Sequence, residues 1–391
     1  MHRPGVHFEV VSNPEFLAAG TAVADLLHAD RILIGSNNTR SGRRAAAALA
    51  SVYASWIPLE RIITTNCFSS ELAKLVANAM LAQRISSINS IAAICEKTGA
   101  DVDEVARAIG ADPRIGSKFL KAGIGFGGSC FKKDVLSLVY LADTLVLPEV
   151  AQYWRAVIDM NEFARNRFVS RAVKCLNNTL TGKKVTVLGF AFKKNTNDTR
   201  ESPALDIVRA LEEEGAAEIA VYDPLCIPSQ TREEIGRFAG KGVLKSNGGP
   251  VSVYSDVYEA CHGSHAVLIT TEFDEFKNHS PGTSVAQSGG QNPLESTQTR
   301  DATLAHTPEL LNPTPPCGED CPDCQVEENS TAFAPNTDRD HRPRVDWTKI
   351  YYHMKRPHWV LDGRGVLDIE SMQRIGFRVE SVGRTTHVLA D

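Results

Sequence analysis

The chain has 391 residues, of which 42% are hydrophobic and 23% are charged, a composition typical of a globular protein with two or three domains. Its formal net charge of −5 argues against the basic surface that a nucleic-acid partner requires. The sequence contains no apolar run of the roughly 20 residues that span a membrane, and its first residues do not resemble a signal peptide.

The first part of the chain shows short strand and helix patterns. Residues 8–11 and 31–35 predict strands, and the alanine-rich residues 40–56 predict a helix. Between the two strands, the run from Ser12 to Glu15 predicts a helix start. Those two residues have the spacing of a capping box, which would give Glu15 a purely structural role.

The longest periodic segment predicts a helix that starts near Ser69, runs to about Lys97 and is closed by Gly99. A helix of this length suits a connection between domains or a dimer interface. Lys74 and Asn78 share one otherwise apolar face of it, where a polar pair is costly unless it meets a partner. The alternative is a lysine whose stem follows the core edge while its ammonium group stays in water.

Further helices are predicted to about residue 175, interrupted by a glycine-rich loop at 122–130. Three glycines of this loop match the dinucleotide fingerprint G-x-G-x-x-G: Gly123, Gly125 and Gly128. We interpret the match as false because no predicted strand precedes it.

Cys130 follows the glycine-rich loop and opens the next predicted helix. The helix dipole and the flanking Lys132 and Lys133 favour a thiolate there, so we predict a nucleophile. Asp134 lies one helical turn further on. The alternative is a buried cysteine beside a flexible turn. The chain has nine cysteines, an odd number that argues against a disulfide framework and favours reduced thiols in the cytoplasm.

The second half of the chain opens with a βαβ pattern. Strands at 185–189 and 218–223 flank a helix at 203–215. The first turn holds one glycine, with Lys193 and Lys194, where a dinucleotide site has three glycines. Two cations at a strand end suit a pyrophosphate, and the alternative is a solvated basic turn. The remaining predicted elements are strands at 266–270, 358–362 and 377–382 and a short helix at 371–375.

Residues 280–345 lose all periodicity and are rich in polar residues, glycine and proline, so we predict a disordered insertion. The insertion contains three closely spaced cysteines, Cys317, Cys321 and Cys324. Three thiols without a second cluster are a weak metal motif, and we predict no metal site.

Six segments resemble signatures of the UDP-glucose 6-dehydrogenase family, in matching order over nearly the whole chain outside the insertion: Ser12–Ala18, Glu71–Asn78, Gly125–Phe131, Leu188–Lys194, Asp198–Ser202 and Asp362–Arg364. The resemblance implies an α/β protein in three parts. Residues 1–66 would be the remnant of a Rossmann-type NAD-binding domain, and residues 67–180 a central helical domain for dimerisation and catalysis. Residues 181–391 would be a Rossmann-like UDP-binding domain that carries the insertion.

The resemblance also implies the reaction, a four-electron oxidation of UDP-glucose to UDP-glucuronate with two NAD, through a thiohemiacetal and a thioester on Cys130. Lys74 would stabilise oxyanions, Asp134 would orient water or act as a base, and Glu15 would serve in thioester hydrolysis. The implied substrate contacts are Asn78, Arg114, Lys121, Gly127, Phe192, Lys193 and Arg364. The implied cofactor contacts are Arg200 and Lys133. The expected assembly is a homodimer, or a higher homo-oligomer, formed through the long helix.

The sequence departs from the family pattern near its start. Members of the family begin with a strand, a glycine fingerprint and a helix that bind NAD, about 100 residues or more ahead of the motif found here at Ser12. Ala19 stands where the family usually has glutamate. We therefore expect this chain to lack most of its NAD-binding domain and to be impaired on its own. The alternatives are an inactive nucleotide-sugar-binding or dimer-modulating subunit, or a dehydrogenase of GDP-mannose or a UDP-amino sugar.

Overall fold

The computed structural model describes residues 8–278 and 343–385. The described part begins with a three-stranded sheet in the order β1-β2-β3. β1 is antiparallel to β2, whereas β2 and β3 are parallel, with Ile32 opposite Ile62. The elements of this region are β1 (Val11–Ser12), α1 (Ala22–Leu27), β2 (Ile32–Ser36), α2 (Arg40–Tyr53) and β3 (Ile62–Asn66).

Two predictions for this region are wrong. The first strand is limited to β1, and no helix starts at Ser12, since the chain has no regular structure from residue 13 to residue 18. The Ser12 hydroxyl instead donates to the Ser70 hydroxyl at 3.1 Å, so the capping residue is occupied by a long-range contact. β3 was not predicted, because its polar Thr64-Thr65-Asn66 end lacks a strand pattern.

Four helices follow: α3 (Cys67–Thr98), α4 (Val102–Gly110), α5 (Phe131–Thr144) and α6 (Pro148–Cys175). The predicted long helix is confirmed, but it starts earlier than Ser69 because Asn66 caps it by accepting from the Ser69 N–H at 2.8 Å. Gly99 ends it in the left-handed conformation. Small buried residues of α3, Ala79 and Ala82, allow α5 and α6 to pack closely against it.

The C-terminal region is a six-stranded, wholly parallel sheet in the order β6-β5-β4-β7-β8-β9. This is the strand order of the doubly wound dinucleotide-binding fold, which confirms the Rossmann-like prediction. Its elements are β4 (Lys184–Leu188), α7 (Pro203–Glu213), β5 (Glu218–Tyr222), α8 (Pro228–Phe238), β6 (Val251–Val253), α9 (Val257–Cys261), β7 (Ala266–Ile269), α10 (Trp347–His353), β8 (Trp359–Asp362), α11 (Ile369–Ile375) and β9 (Arg378–Ser381).

Two hydrophobic clusters cover the two faces of this sheet. Val185 and Val187 of β4 point into one of them, and Leu188 points into the other. α8 and β6 were not predicted, since α8 is polar on most of its surface and β6 has only three residues. The strand order reverses between β4 and β7, so the carboxyl ends of these two strands form the crevice where ligands of such sheets bind.

A buried ion-pair network joins the helical region to the sheet. Glu96 of α3 pairs with Arg167 and Arg171 of α6, and Arg171 also pairs with Glu380 of β9. The backbone N–H of Gly383 donates to Glu96 at 2.7 Å. Burial lowers the pKa of Arg171, although the charge of Glu96 acts in the opposite direction. The network fixes α3 and α6, and with them the loop before α5, against the C-terminal sheet.

No helix in residues 8–278 or 343–385 has the length and apolarity of a membrane span. The predicted insertion lies almost wholly outside the described residues.

Candidate active site

A cavity of about 690 Å³ lies at the carboxyl ends of β4, β7 and β8 and is closed by α3 and the glycine-rich loop. We call it the Cys130 cavity. It brings together most of the site residues predicted from the sequence: Lys74, Asn78, Lys121, Gly127, Cys130, Phe192, Lys193, Arg200 and Arg364. These residues come from positions up to 290 residues apart in the chain, and the crevice of the parallel sheet is where they meet.

Cys130 occupies the N-cap position of α5 and is exposed. Its Sγ lies 3.8 Å from the Ser129 hydroxyl. Four of the other described cysteines are buried, and only Cys67 is partly exposed. Among the six cysteines that the structure describes, Cys130 is thus the one whose thiol is exposed in this cavity, at a helix N-terminus where backbone N–H groups can face a ligand.

The loop before Cys130 is held by two asparagines. The Asn161 amide accepts from the Phe126 N–H at 2.7 Å and donates to its carbonyl at 3.1 Å. The Asn89 side chain accepts from the Gly123 N–H at 2.8 Å. Gly125 has a φ of 97°, and a Cβ there would lie 2.5 Å from Asn161 Oδ1. The loop follows α4 rather than a strand, so the interpretation of its glycines as a false fingerprint is confirmed.

Lys74 lines the cavity and forms an ion pair at 3.2 Å with Glu15, which does not itself line it. The Lys74 ammonium also donates to the Glu15 backbone carbonyl and lies 5.3 Å from the centre of the Phe16 ring. Burial raises the pKa of Glu15, but the hydrogen bond from the Leu17 N–H and the Lys74 charge outweigh it, so the pKa is lowered. Lys74 thus meets a partner, and the alternative of a lysine directed into water is wrong.

Asn78 and Asp134 form a second polar pair, in which the Asn78 amide donates to Asp134 at 2.6 Å. The Asp134 side chain is only 3% exposed and lies 3.5 Å from Lys133. Asp134 does not itself line the cavity, whereas Asn78 does. The buried carboxylate is therefore joined to the cavity through the amide of Asn78.

Arg364 is fixed at the floor of the cavity. Its Nε donates to the Thr270 carbonyl at 2.8 Å and one terminal nitrogen donates to the Gly125 carbonyl at 3.0 Å. Its second terminal nitrogen is buried and has no hydrogen-bond partner within the described residues. Burial lowers the pKa of Arg364, while Glu272, 3.5 Å away, acts in the opposite direction. An arginine with a spare donor at this edge is suited to an anionic ligand.

The loop that presents Arg364 is organised by Asp362. This carboxylate, at the end of β8, accepts from four consecutive backbone N–H groups, those of Arg364, Gly365, Val366 and Leu367. Lys121 reaches the same loop and lies 3.4 Å from the Gly365 carbonyl. On the other side of the crevice, Lys193 and Phe192 follow β4.

Two predicted contacts are not on the cavity. Arg114 has an 88% exposed side chain paired with Asp112 at 2.6 Å, so the structure does not bring it to the site of its own chain. Lys133 lines a neighbouring cleft together with Ser129 and Arg200. Arg200 lines both spaces and is held by Asp198 at 2.7 Å. That hydrogen bond is the main cause that raises the pKa of Arg200, and the charge of Asp198 adds to it.

Several lining residues were missed by the sequence analysis, among them Phe16, Arg31, Phe119 and Glu272. Arg31 stacks on Phe16 with its guanidinium carbon 4.0 Å from the ring centre. Glu272 could have been predicted as a lining residue from the sequence, because it follows the carboxyl end of a central strand. Within the described ranges no three His, Cys, Asp or Glu residues are placed to hold a metal ion. Cys317, Cys321 and Cys324 lie outside those ranges.

Three family models match the chain. They describe the NAD binding domain, the central domain and the UDP binding domain of the UDP-glucose/GDP-mannose dehydrogenase family, over residues 1–57, 68–163 and 186–293. The segment that the sequence analysis interpreted as a remnant therefore matches the NAD-binding-domain model, so the description of that domain as missing is not supported.

The chain is also similar to individual curated proteins. It is 43% identical to UDP-glucose 6-dehydrogenase of Drosophila melanogaster, over 98% of this chain and 66% of that protein. It is 45% identical to the Bos taurus enzyme of the same name, over 98% and 64%. It is 42% identical to UDP-glucose 6-dehydrogenase 3 of Oryza sativa subsp. japonica, over 97% and 67%. The chain thus spans 64–67% of the length of these relatives.

Solved structures also match the chain. A UDP-glucose dehydrogenase from Pyrobaculum islandicum matches with a TM-score of 0.59 and 34% identity, over 68% of this chain and 56% of that chain. An NDP-N-acetyl-D-galactosaminuronic acid dehydrogenase from Methanosarcina mazei matches with a TM-score of 0.65 over 99% of this chain and 64% of that chain. At 18% identity, the second match supports the fold alone.

Proposed function

The chain belongs to the UDP-glucose/GDP-mannose dehydrogenase family, and from this premise we propose that it takes part in the NAD-dependent oxidation of UDP-glucose to UDP-glucuronate. The observation that carries the proposal is the Cys130 cavity. The exposed thiol of Cys130, the Lys74 ammonium and cations of the C-terminal sheet line the same cavity, and Lys74 is paired with Glu15. That arrangement suits a nucleotide-bound alcohol whose oxidised carbon a thiol can capture.

The C-terminal sheet would hold the UDP group. Lys193, Arg364 and Lys121 line the cavity at the strand-order reversal and supply cations for the diphosphate. Gly127 also lines the cavity, and a Cβ there would lie 2.5 Å from the Glu201 carbonyl oxygen, so its lack of a side chain allows the loop to pack against the start of α7. Phe192 offers an aromatic face beside it. Burial of the spare Arg364 donor makes a negatively charged ligand oxygen favourable there.

The residues that the structure describes include groups that could bind part of an NAD molecule. Arg31 and Arg200 are exposed cations on the cavity and can face the cofactor's diphosphate, with Lys133 in the adjoining cleft. The turn after β2, Asn37-Asn38, has no glycine of the dinucleotide fingerprint. NAD, when bound, takes up the hydride ions that leave the substrate carbon.

Cys130 would retain the sugar through both oxidation steps. Loss of a hydride and a proton converts the C6 alcohol to an aldehyde. The thiolate then adds to its carbon, and the aldehyde oxygen takes up a proton, which gives a thiohemiacetal. Loss of a second hydride and a proton gives a thioester. The Lys74 ammonium is placed to stabilise the C6 oxygen when it carries negative charge. Four electrons leave the carbon in total.

Water would then release the acid. The attack of water on the thioester carbon breaks the C–S bond, and the sulfur leaves as the thiolate that starts the next cycle. Asp134 can help to orient that water through the amide of Asn78, which lines the cavity, and Glu15 can accept its proton beside Lys74. All six described cysteines are free thiols, which supports a reducing compartment and hence the cytoplasm as the location.

The position of Arg114 favours a homodimer in which copies complete each other's sites. The resemblance assigns Arg114 to the substrate, yet its side chain points into solvent away from its own cavity. Large apolar side chains are exposed on the central helices, among them Met80 on α3 and Tyr140 on α5. A second copy packed on these helices would cover them and could receive Arg114.

The test is NADH formation by the purified 391-residue chain with NAD and UDP-glucose. We expect two NADH for each UDP-glucuronate released, with GDP-mannose and a UDP-amino sugar as weaker substrates. Binding of UDP-glucose without NADH would contradict the oxidation and indicate a nucleotide-sugar-binding subunit. Faster turnover of GDP-mannose would overturn the substrate assignment.

A further inference from the structure

A second cleft, of about 830 Å³, lies at the opposite edge of the C-terminal sheet, where the strands begin. Lys184 opens β4, Glu218 opens β5 and His265 precedes β7. We call it the basic cleft. β4 has five residues, so about 15 Å separate this edge from the Cys130 cavity. None of the residues that line the basic cleft takes part in the proposed oxidation.

The carboxylate of Glu218 is already neutralised on one side of this cleft. It pairs with Lys184 at 3.3 Å and with Lys245 at 3.6 Å, and it accepts from the Tyr254 hydroxyl at 2.7 Å. Burial raises the pKa of Glu218, but the Tyr254 hydrogen bond and the lysine charges outweigh it, so the pKa is lowered. Lys184, which lines the cleft, and Lys245, which does not, together neutralise Glu218.

The facing wall carries four basic side chains without a carboxylate partner. Among residues 8–278 and 343–385, Lys349, Lys355, His262 and His353 make no ion pair. The Lys349 ammonium lies 3.9 Å from the centre of the Tyr258 ring, and the His262 and His353 rings are 6.0 Å apart. Glu259 is the second acidic residue of the lining.

His265 adds a hydrogen-bond donor at the back of the cleft. Its Nδ1 accepts from the Lys184 N–H at 3.1 Å, so the ring hydrogen of the neutral imidazole is on Nε2. Burial is the main cause that lowers the pKa of His265, and the charges of Lys355 and Lys183 lower it further. The cleft is thus rich in N–H donors and cations in a chain whose net charge is −5, so overall basicity does not explain it.

We propose that the basic cleft binds a small molecule that carries a phosphate or diphosphate group. Lysine ammonium groups without a carboxylate partner and histidine N–H groups are groups that hold such anions in proteins, and of the two exposed histidines His353 already bonds the Lys349 carbonyl through Nδ1 at 2.8 Å. The volume of the cleft lies in the range of small-molecule sites, and the Tyr254 and Tyr258 rings supply apolar surface for the rest of the ligand. The site is separate from the nucleotide-sugar crevice, so both can be occupied in one chain.

The experiment measures inorganic pyrophosphate binding by calorimetry to the full chain with Lys121→Ala and Lys193→Ala, because these changes remove two cations from the Cys130 cavity and none from the basic cleft. The test variant is Lys349→Gln with Lys355→Gln, since both side chains are exposed and carry no ion pair within the described residues. The matched control is Lys97→Gln with Lys118→Gln, which removes the same charge from exposed positions elsewhere. Inorganic phosphate and ADP, each tested in place of pyrophosphate, distinguish a plain anion site from a nucleotide site.

In that parent chain we expect one bound pyrophosphate, at least about tenfold weaker binding when the test changes are added, and binding within about twofold of the parent when the control changes are added. The absence of saturable binding to the parent chain, or equal weakening by the test and control changes, would overturn the proposal. If the wild-type chain fails to bind UDP-glucose in a separate titration, the proposed dehydrogenase function is contradicted, while the comparison of test and control changes still decides the basic cleft.

Discussion

The two sheets of the chain share a parallel βαβ plan but differ in how completely their strands are buried. β4 and β5 of the C-terminal sheet are buried from their second residue onward, whereas three of the five residues of β3 are exposed. The C-terminal sheet has hydrophobic clusters on both faces, while Ile63 in β3 remains 46% exposed. Packing on both faces, not strand order alone, is what makes such a sheet rigid.

This difference divides the candidate site into two halves. The C-terminal sheet presents Lys193 and Arg364 on loops anchored to buried strands. The N-terminal region contributes Glu15 and Phe16 from a segment without regular structure, which is held by Lys74 and Arg31. We therefore expect substrate binding to depend on the first half, and the chemical step to depend on the thiol and the second half.

The largest expected effect separates chemistry from binding. Cys130→Ser should lower UDP-glucuronate release by about a thousandfold or more, because a hydroxyl is a much poorer nucleophile than a thiolate. UDP-glucose binding, measured by calorimetry, should stay within about twofold of wild type. Cys67→Ser, at a partly exposed cysteine away from the cavity, is the control and should keep full turnover. Unimpaired turnover in the Cys130 variant would refute the covalent mechanism.

The next effect compares the stability of the two sheets. Leu188→Ala, at a fully buried position of β4, should lower the free energy of unfolding by about 2–5 kcal/mol. Ile63→Ala, at the half-exposed position of β3, should cost about 1 kcal/mol or less. Urea unfolding followed by circular dichroism measures both. An equal loss of unfolding free energy in the two variants would show that the β3 face is covered in solution.

A smaller effect tests the binding half alone. Lys193→Ala should weaken UDP binding by about tenfold, since it removes one of the cations that face the diphosphate. The adjacent Lys194→Ala is the matched control, because Lys194 pairs with Asp274 at 3.6 Å and does not line the Cys130 cavity. Calorimetry with UDP measures both variants. Equal weakening would indicate a general charge effect instead of a contact.

The smallest effect concerns the Lys74–Glu15 pair. The pKa of Glu15 is lowered from 4.5 in the folded chain, so its ionised form adds stability above that pH, and the contribution is lost as the pH falls through the folded-state value. Wild type should therefore exceed Glu15→Gln in urea midpoint at pH 7, and the gap should close towards pH 3. A gap that does not change with pH would contradict an ionic role for this exposed pair.

Local sequence was sufficient for the elements with strong periodic signals. The long helix with its Gly99 cap, the βαβ opening at Lys184 and the position of Cys130 at the start of a helix were all predicted from neighbouring residues. Each depends on contacts within a few positions, such as a helical repeat, a capping residue or a glycine turn. The resemblance to a known family then supplied the remaining site residues.

Only the tertiary structure decided which polar groups meet. Ser12 and Glu15 have the spacing of a capping box, yet they bond Ser70 and Lys74, more than fifty residues away. Arg114 was assigned to the substrate and lies exposed, whereas Glu272 was overlooked and lies beside Arg364. The physical reason is that distant segments of the chain come together only in the folded protein. The spacing of residues in the sequence therefore does not predict which side chains meet at a sheet edge.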